Sequence, residues 1–144
     1  MIRVEESLNF HVIRAARLLR RHLATMTEGV EELTPEQWFV LNRLRHRQTS
    51  SQVDLGDHTL MDRPNISRII GHLEGRGWVR KEVDPNDGRK QLVRLSPEGR
   101  RIHDRIAKEV PRLRSEILEG IDAEDVEAAW RVLLKMEENL ARFL

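Results

Sequence analysis

The amino-acid sequence predicts a mainly α-helical fold that carries one small β-hairpin. Apolar residues recur at helical spacing along most of the 144 residues. Aromatic residues make up only 4% and charged residues 34% of the chain, which favours helices with solvated faces over a β-sandwich. Residues 78–96 differ, because they read as two short strands around a cluster of turn-forming residues. The length fits one domain with a core of its own.

Composition excludes several classes of protein. The sequence contains no apolar run near 18 residues, so it predicts no transmembrane helix. It begins with MIRVEESLNF, which lacks the uninterrupted apolar stretch of a secretory signal peptide. Because there is no cysteine, disulfides, thiolate zinc sites and thiol redox sensing are excluded. We therefore expect a cytoplasmic protein without a membrane partner.

The first predicted helix spans residues 5–27, and Gly29 should end it. Its apolar stripe is too long for one helix of a small domain to bury without a partner. That stripe contains Leu8, Val12, Ala15, Leu19, Leu23 and Met26.

Capping signals place the next two helices. Thr34 and Gln37 have the spacing of a capping box, which predicts a second helix over residues 34–47. Ser51 is the N-cap of a third helix that ends near residue 59. Three apolar residues of the second helix should face inward, namely Trp38, Leu41 and Leu44.

The most informative helix follows, between Asp62 and Gly77. Asp62 is a suitable N-cap, and Gly77 can end the helix with a positive φ. One face is apolar, and the outer faces carry hydrogen-bonding residues with two fixed positive charges. Such a surface suits a DNA major groove, where Arg can read guanine and Asn can read adenine. The apolar residues are Ile66, Ile69, Ile70 and Leu73, and the outer residues are Arg63, Pro64, Asn65, Ser67, Arg68 and His72.

A β-hairpin with a basic tip comes next. The strands are predicted over residues 78–83 and 91–96, with residues 84–90 between them. Arg89 and Lys90 at this tip could enter a minor groove or contact phosphates. A helix followed by a basic hairpin is the layout of a winged helix-turn-helix.

The C-terminal part predicts helices again. Ser96 and Pro97 start a helix that Pro111 should kink or break, and Asp122 caps the last helix. This last helix holds more apolar residues than one face of a monomeric helix needs, so a symmetric dimer is expected. They are Val126, Ala129, Trp130, Leu133, Leu134, Met136, Leu140 and Phe143.

The ordered motifs resemble those of MarR-family transcriptional regulators. They run in register from residue 33 to residue 99, and the flanking helices also fit, so the resemblance covers the whole chain. Gly56 departs from the family, which usually has alanine there, and this predicts a short or loosely held third helix. The matching segments are Leu33-Thr34-Pro35-Glu36-Gln37, Leu41, Leu55, Asp62-Arg63-Pro64-Asn65-Ile66-Ser67-Arg68, Leu73-Glu74, Gly77-Trp78-Val79, Asp84-Pro85-Asn86-Asp87-Gly88-Arg89 and Val93-Arg94-Leu95-Ser96 before Gly99.

The resemblance implies a single MarR-like domain over residues 1–144. Residues 33–99 would form the winged helix-turn-helix, and residues 1–30 and 100–144 would be dimerisation helices. The expected protein is a homodimeric, ligand-responsive repressor that binds a pseudo-palindromic operator in double-stranded DNA. A winged-helix module that binds proteins instead of DNA is the alternative.

DNA contact is expected from the helix and the wing. In the family pattern the carboxylate of Asp87 orients the guanidinium of Arg89, although a turn-forming aspartate would have the same position. Lys90 stands where many members carry a second arginine, and it can hold phosphate only as a point charge. The full set is Arg63, Pro64, Asn65, Ser67, Arg68, His72, Asp87, Arg89 and Lys90.

The resemblance implies an effector pocket between the dimer helices and the DNA-binding lobe, lined by the first and second helices. An arginine there could bind the carboxylate of a small aromatic or anionic effector. The histidine and the tryptophan of this set could equally be structural. The candidates are Phe10, His11, Arg14, Arg17 and Trp38. We expect no cofactor, no metal site and no catalytic residues, because the six histidines lack ligand spacing and no nucleophile motif occurs.

Charge is distributed unevenly along the chain, although the net charge is only +1. Residues 62–105 contain 11 Lys/Arg and 7 Asp/Glu, a net charge of +4. Residues 116–138 contain 2 Lys/Arg and 8 Asp/Glu, a net charge of −6. Phosphate would repel the acidic segment, so we expect it to face away from DNA.

Overall fold

The computed structural model describes residues 3–27 and 33–144, in two compact units that divide after Glu109. The predicted end of the first helix at Gly29 lies outside the described residues. Among the helices that are described, none combines the length and the apolar character needed to cross a membrane.

The first unit contains five α-helices and three strands within its described residues, which confirms the predicted fold class. Most helix boundaries fall within a residue or two of the predicted ones. The elements are α1 (Leu8–Ala24), α2 (Pro35–Arg47), β1 (Thr49–Ser51), α3 (Gln52–Thr59), α4 (Arg63–Gly75), β2 (Val79–Asp84), β3 (Asp87–Leu95) and α5 (Pro97–Ala107).

Helix α1 is shorter than the predicted helix over residues 5–27. Single 3₁₀ turns flank it, at Val4–Glu6 and Thr25–Thr27. It begins at Leu8 because the Ser7 hydroxyl accepts a hydrogen bond from the Phe10 amide at 3.2 Å. None of its described side chains is buried, although several are apolar.

The predicted caps of α2 and α3 are present. The amide of Gln37 donates to the hydroxyl of Thr34 at 3.2 Å, and the amide of Thr34 donates to the Gln37 side chain at 3.1 Å. Ser51 accepts from the Asp54 amide at 3.1 Å.

Helix α3 ends at Thr59, as predicted, and it is short, with eight residues. A Cβ atom at residue 56 would lie 3.2 Å from the carbonyl oxygen of Met61, so glycine permits the close turn into α4.

The core of the first unit lies between α2, α3, α4, α5 and the sheet. Its members have large apolar side chains, and removing them from water is the main stabilising contribution to the fold. Val40 is fully buried although the apolar pattern did not single it out, whereas Trp38 is only half-buried. The fully buried side chains include Val40, Leu41, Leu44, Leu55, Ile66, Ile70, Leu73, Val79, Val93 and Ile106.

The sheet has three antiparallel strands in the order β1-β3-β2. Strand β1 was not predicted, because its three residues form a strand only through pairing with Leu92–Arg94 of β3. The predicted seven-residue hairpin tip is also wrong. The strands extend to Asp84 and restart at Asp87, so only residues 85 and 86 form the turn. The Asp84 carboxylate closes it by accepting from the Asn86 amide at 2.8 Å.

The second unit contains α6 (Val110–Ile117) and α7 (Ala123–Ala141). The predicted break at Pro111 is confirmed, since this residue lies in the first turn of α6, where a missing amide proton costs nothing. Gly120 adopts a φ of +75° in the turn that follows. No side chain of α7 is buried, and Trp130 is 62% exposed.

Replacing the N-cap of α4, Asp62→Ala, should lower the free energy of unfolding by about 1 kcal/mol. The lost contact is the 2.9 Å hydrogen bond from the Asn65 amide to the Asp62 carboxylate. Asp122→Ala is the matched control, because Asp122 precedes α7 without a side-chain capping bond. Urea unfolding at one protein concentration would measure both. Equal losses of unfolding free energy in Asp62→Ala and Asp122→Ala would show that the capping hydrogen bond of Asp62 contributes nothing to stability.

Candidate nucleic-acid interface

Helix α4 presents its polar faces outward because its apolar face is buried. Ile66, Ile70 and Leu73 are each at most 1% exposed and fix the rotation of the helix about its axis. The left-handed Gly77, with a φ of +74°, turns the chain directly into β2. The structure exposes all six predicted outer residues of this helix: Arg63, Pro64, Asn65, Ser67, Arg68 and His72.

Two of these outer residues contact each other. The guanidinium of Arg68 donates from Nη2 to the Asn65 side-chain oxygen at 2.9 Å. The two residues are one helical turn apart, so their side chains lie on the same face. This bond orders a long side chain on the exposed surface.

Arg89 and Lys90 lie in the first part of β3, where both are exposed. The Asp87 carboxylate accepts a hydrogen bond from the backbone amide of Arg89 at 3.0 Å. It therefore orders the backbone from which the Arg89 side chain departs, and the guanidinium extends from a strand instead of a loop.

An ion pair joins helix α4 to the hairpin formed by β2 and β3. Nζ of Lys81 on β2 lies 3.4 Å from a carboxylate oxygen of Glu74 on α4. On the same hairpin, Arg94 lies opposite Arg80 in the strand register and pairs with Glu82 at 3.1 Å. Sequence reasoning did not find these two ion pairs, since each of them joins two different elements.

A cavity of about 470 Å³ opens beside α4. We call it the α4 cavity, and its wall includes residues of α1, the start of α2 and the outer face of α4. Arg20 donates two hydrogen bonds across it to the Glu36 carboxylate, of which the Nη1–Oε2 bond measures 3.0 Å. The lining residues are Arg20, Thr34, Glu36, Gln37, Met61, Asn65, Arg68, Ile69 and His72.

The five predicted effector-binding residues do not line the α4 cavity. Phe10 is half-buried and meets the His11 ring edge-on at 5.5 Å, and His11 Nε2 lies 2.9 Å from the carbonyl oxygen of Glu5. Arg14 and Arg17 are exposed. The fifth candidate, Trp38, stacks on another aromatic ring, as described next.

His103 is buried between α2 and α5 and is the centre of a polar cluster. Its ring stacks on Trp38 with 4.9 Å between the centroids, and its Nε2 lies 3.1 Å from the Asn42 side-chain oxygen. Nδ1 lies 2.9 Å from the carboxylate of Asp104, which also accepts from Arg45 at 3.1 Å. Hydrogen bonds from His103 and then from Arg45 lower the pKa of Asp104. The cluster positions α5 against α2.

Metal-binding groups are not clustered in residues 3–27 and 33–144, where no three His, Asp or Glu side chains could hold an ion together. Burial, followed by the charges of Arg43 and Arg47, lowers the pKa of His58 on α3.

Comparison with known proteins finds transcriptional regulators of similar sequence and fold. The family model described as "MarR family" matches residues 32–90. The transcriptional activatory protein BadR of Rhodopseudomonas palustris is 29% identical over 141 residues, which cover 94% of this chain and 79% of BadR.

Two solved structures are similar over almost their whole length. PcaV of Streptomyces coelicolor, solved in complex with its natural ligand, is 26% identical with a TM-score of 0.87 and covers 96% of both chains. BpsR of Bordetella bronchiseptica, whose DNA binding is regulated by 6-hydroxynicotinic acid, is 27% identical with a TM-score of 0.81, over 95% of this chain and 97% of BpsR. Residues 32–90 of this protein thus match the MarR family, and the chain as a whole is similar to transcriptional regulators.

Proposed function

We propose that this protein is a homodimeric regulator that binds a specific sequence in double-stranded DNA. The observation that carries the proposal is the exposed face of α4 beside a basic hairpin, with the apolar face of α4 fixed in the core. Arg68 and Asn65 are suited to read guanine and adenine in a major groove. Arg89 and Lys90 are suited to reach an adjacent minor groove or its phosphates.

Within the single domain, residues 33–99 are proposed to bind DNA. Residues 1–30 and 100–144 are proposed to form the dimer interface. Exposed apolar residues support the second role. In α1, Leu8, Ile13 and Leu18 are 56–57% exposed, and in the second unit Trp130 is 62% and Leu140 60% exposed. Apolar surface of this extent is typical of a buried interface between copies. The half-sites of the operator should then lie roughly 10 base pairs apart.

The regulator is proposed to be a cytoplasmic repressor that responds to a small ligand. A bound dimer represses when its operator overlaps a promoter, although the relative BadR is described as an activatory protein. Two similar proteins support a response of this regulator to a ligand. PcaV was solved in complex with its natural ligand, and the DNA binding of BpsR is regulated by 6-hydroxynicotinic acid. The effector residues implied by the family remain Phe10, His11, Arg14, Arg17 and Trp38.

The test of DNA binding is a salt series with Arg89→Ala. We expect the wild-type protein to bind DNA from upstream of its own gene, with an affinity that falls steeply as salt increases, because phosphate contacts release counterions. Arg89→Ala should weaken this binding by roughly 1–3 kcal/mol. Fluorescence anisotropy of a labelled duplex would measure both proteins.

Lys90→Ala is the companion variant. If Lys90 holds only phosphate, its loss should weaken all sequences alike and reduce the salt slope by about one. Equal, feeble binding of all three proteins to any DNA would contradict the proposal, and a winged-helix module that binds proteins would take its place.

A further inference from the structure

The two faces of the three-stranded sheet differ in chemistry. Side chains alternate between the faces along each strand, and residues that lie directly opposite each other share a face. Val79, Val93 and Leu95 are buried on the inner face, which closes the core that the sheet shares with α4. Arg80 and Arg94 are exposed and alternate with these residues, so they lie on the outer face.

One row of side chains crosses the outer face over all three strands. Arg80 on β2 lies opposite Arg94 on β3, and Arg94 lies opposite Thr49 on β1. We call these three residues the outer row. Directly opposed side chains of an antiparallel pair start about 5 Å apart, and like charges in such positions destabilise a sheet. An anion bound between the two guanidinium groups would remove this repulsion.

The protein itself compensates only one of the two arginines. Glu82 on the same face pairs with Arg94 at 3.1 Å, and the two side chains are 41% and 50% exposed. The exposed side chain of Arg80 has neither an ion pair nor a hydrogen bond among the residues that the structure describes. The half-buried Thr49 adds a hydroxyl donor at the end of the row. Guanidinium groups bind phosphate oxygens with two parallel hydrogen bonds, so the chemistry of the outer row suits phosphate.

The position of the outer row relative to α4 indicates which phosphate it can reach. The inner face of the sheet packs toward α4, so the outer row lies on the opposite side of the hairpin from that helix. With α4 in a major groove and Arg89 at the adjacent minor groove, the hairpin stands between α4 and the next stretch of duplex. The outer row then faces the backbone of that stretch.

We propose that the outer row binds a backbone phosphate of the DNA that flanks each half-site, beyond the bases that α4 and the hairpin tip reach. The inference rests on the proposed function, because α4 and the hairpin must first hold the protein on its operator. A phosphate contact carries no base information, so it lengthens the duplex that is needed for full affinity without changing the preferred sequence.

The test compares two duplexes that carry the same binding sequence from upstream of the protein's own gene. The core duplex ends where hydroxyl-radical protection by Arg80→Gln ends, and the long duplex continues for about ten base pairs, one helical turn, on each side. We expect the full-length wild-type protein to bind the long duplex about tenfold more tightly at roughly 50 mM salt and almost equally tightly at roughly 200 mM. The reason is that each of two subunits releases counterions from one more phosphate, which steepens the salt slope by about two.

Two variants of the outer face should move this preference in opposite directions. Arg80→Gln should abolish the preference for the long duplex and keep the wild-type affinity for the core duplex. Its urea midpoint should equal or exceed that of the wild-type protein, because a like charge opposite Arg94 is gone. A merely structural role of Arg80 would instead lower the urea midpoint and weaken binding to both duplexes. Glu82→Gln should increase the preference, because it frees Arg94 and removes a carboxylate that repels phosphate.

Arg101→Gln is the matched control. Arg101 is an exposed arginine of α5 that pairs with Glu98, and its replacement changes the net charge by the same amount as Arg80→Gln. It should keep the wild-type preference for the long duplex. The proposal is overturned if Arg80→Gln keeps that preference, or if Arg80→Gln and Arg101→Gln lose it equally.

Failure of this inference can be distinguished from failure of the proposed function. Specific binding of the core duplex without any gain from the flanks would overturn the outer row as a phosphate site and leave the proposed function intact. Absence of specific binding to either duplex would overturn both. Equal binding of the two duplexes, together with self-association that Arg80→Gln abolishes, would also overturn the phosphate site. It would assign the outer row to the acidic segment, residues 116–138, of a further copy.

Discussion

Replacing Gly99 by alanine should destabilise the protein by about 3 kcal/mol, a large fraction of the stability of a small domain. A Cβ atom at residue 99 would lie 1.9 Å from the carbonyl oxygen of Trp78 and 2.8 Å from its carbonyl carbon. These are backbone atoms, so no side-chain rotation can relieve the contact. The change should appear as a lower urea midpoint or as a failure to fold.

The contact is tight because hydrogen bonds of Ser96 hold the backbone of Gly99 next to that of Trp78. The Ser96 amide donates to the Trp78 carbonyl oxygen at 3.0 Å, and the Ser96 hydroxyl accepts from the Gly99 amide at 3.0 Å. The same hydroxyl donates to the carbonyl oxygen of Gly77. Moving α5 away to admit a methyl group would break these bonds between the end of α4, the start of β2 and α5.

Gly71→Ala is the control for this prediction. Gly71 is also helical, but a Cβ atom there meets nothing within 4 Å. This variant should gain roughly 0.5–1 kcal/mol, because alanine loses less conformational entropy than glycine when a helix forms. If Gly99→Ala were as stable as Gly71→Ala, the close packing of α5 on Trp78 would be incorrect.

Features that depend on nearby residues could be predicted from the sequence. The caps at Thr34, Ser51 and Asp62 each join groups three residues apart, and the buried face of α4 follows from a local apolar period. The break at Pro111 has an equally local cause. The fold class and the outward residues of α4 follow from these signals together.

Features that depend on distant residues could not be predicted. Strand β1 exists because Thr49–Ser51 pair with residues about 40 positions later, and three polar residues carry no strand signal by themselves. The α4 cavity depends on the contact of Arg20 on α1 with Glu36 on α2. No local sequence pattern predicts this contact between two helices. The hairpin turn was predicted too long because its turn formers continue into β3, where pairing with β2 overrides their local preference.

Replacing Arg68 by alanine should reduce affinity for the operator by roughly 1–3 kcal/mol while hardly changing affinity for scrambled DNA. The difference arises because a base contact is present on one sequence only, whereas phosphate contacts are present on all. Arg68 is already ordered by Asn65, so the wild-type side chain loses little additional freedom on binding. Anisotropy titrations with both duplexes at one salt concentration would measure the specificity ratio.

Arg131→Ala is the control, because Arg131 lies in the acidic segment and pairs with Glu127 at 3.4 Å. Removing this arginine changes the net charge by the same amount as Arg68→Ala. Any loss of affinity that is common to both variants therefore measures the general electrostatic attraction to DNA. The remaining loss of DNA affinity in Arg68→Ala measures the contact of Arg68 with a base. If the two variants lost equal affinity on operator and scrambled DNA, Arg68 would act only through its charge, and sequence preference would have to come from the other outer residues of α4 or from the shape of the DNA.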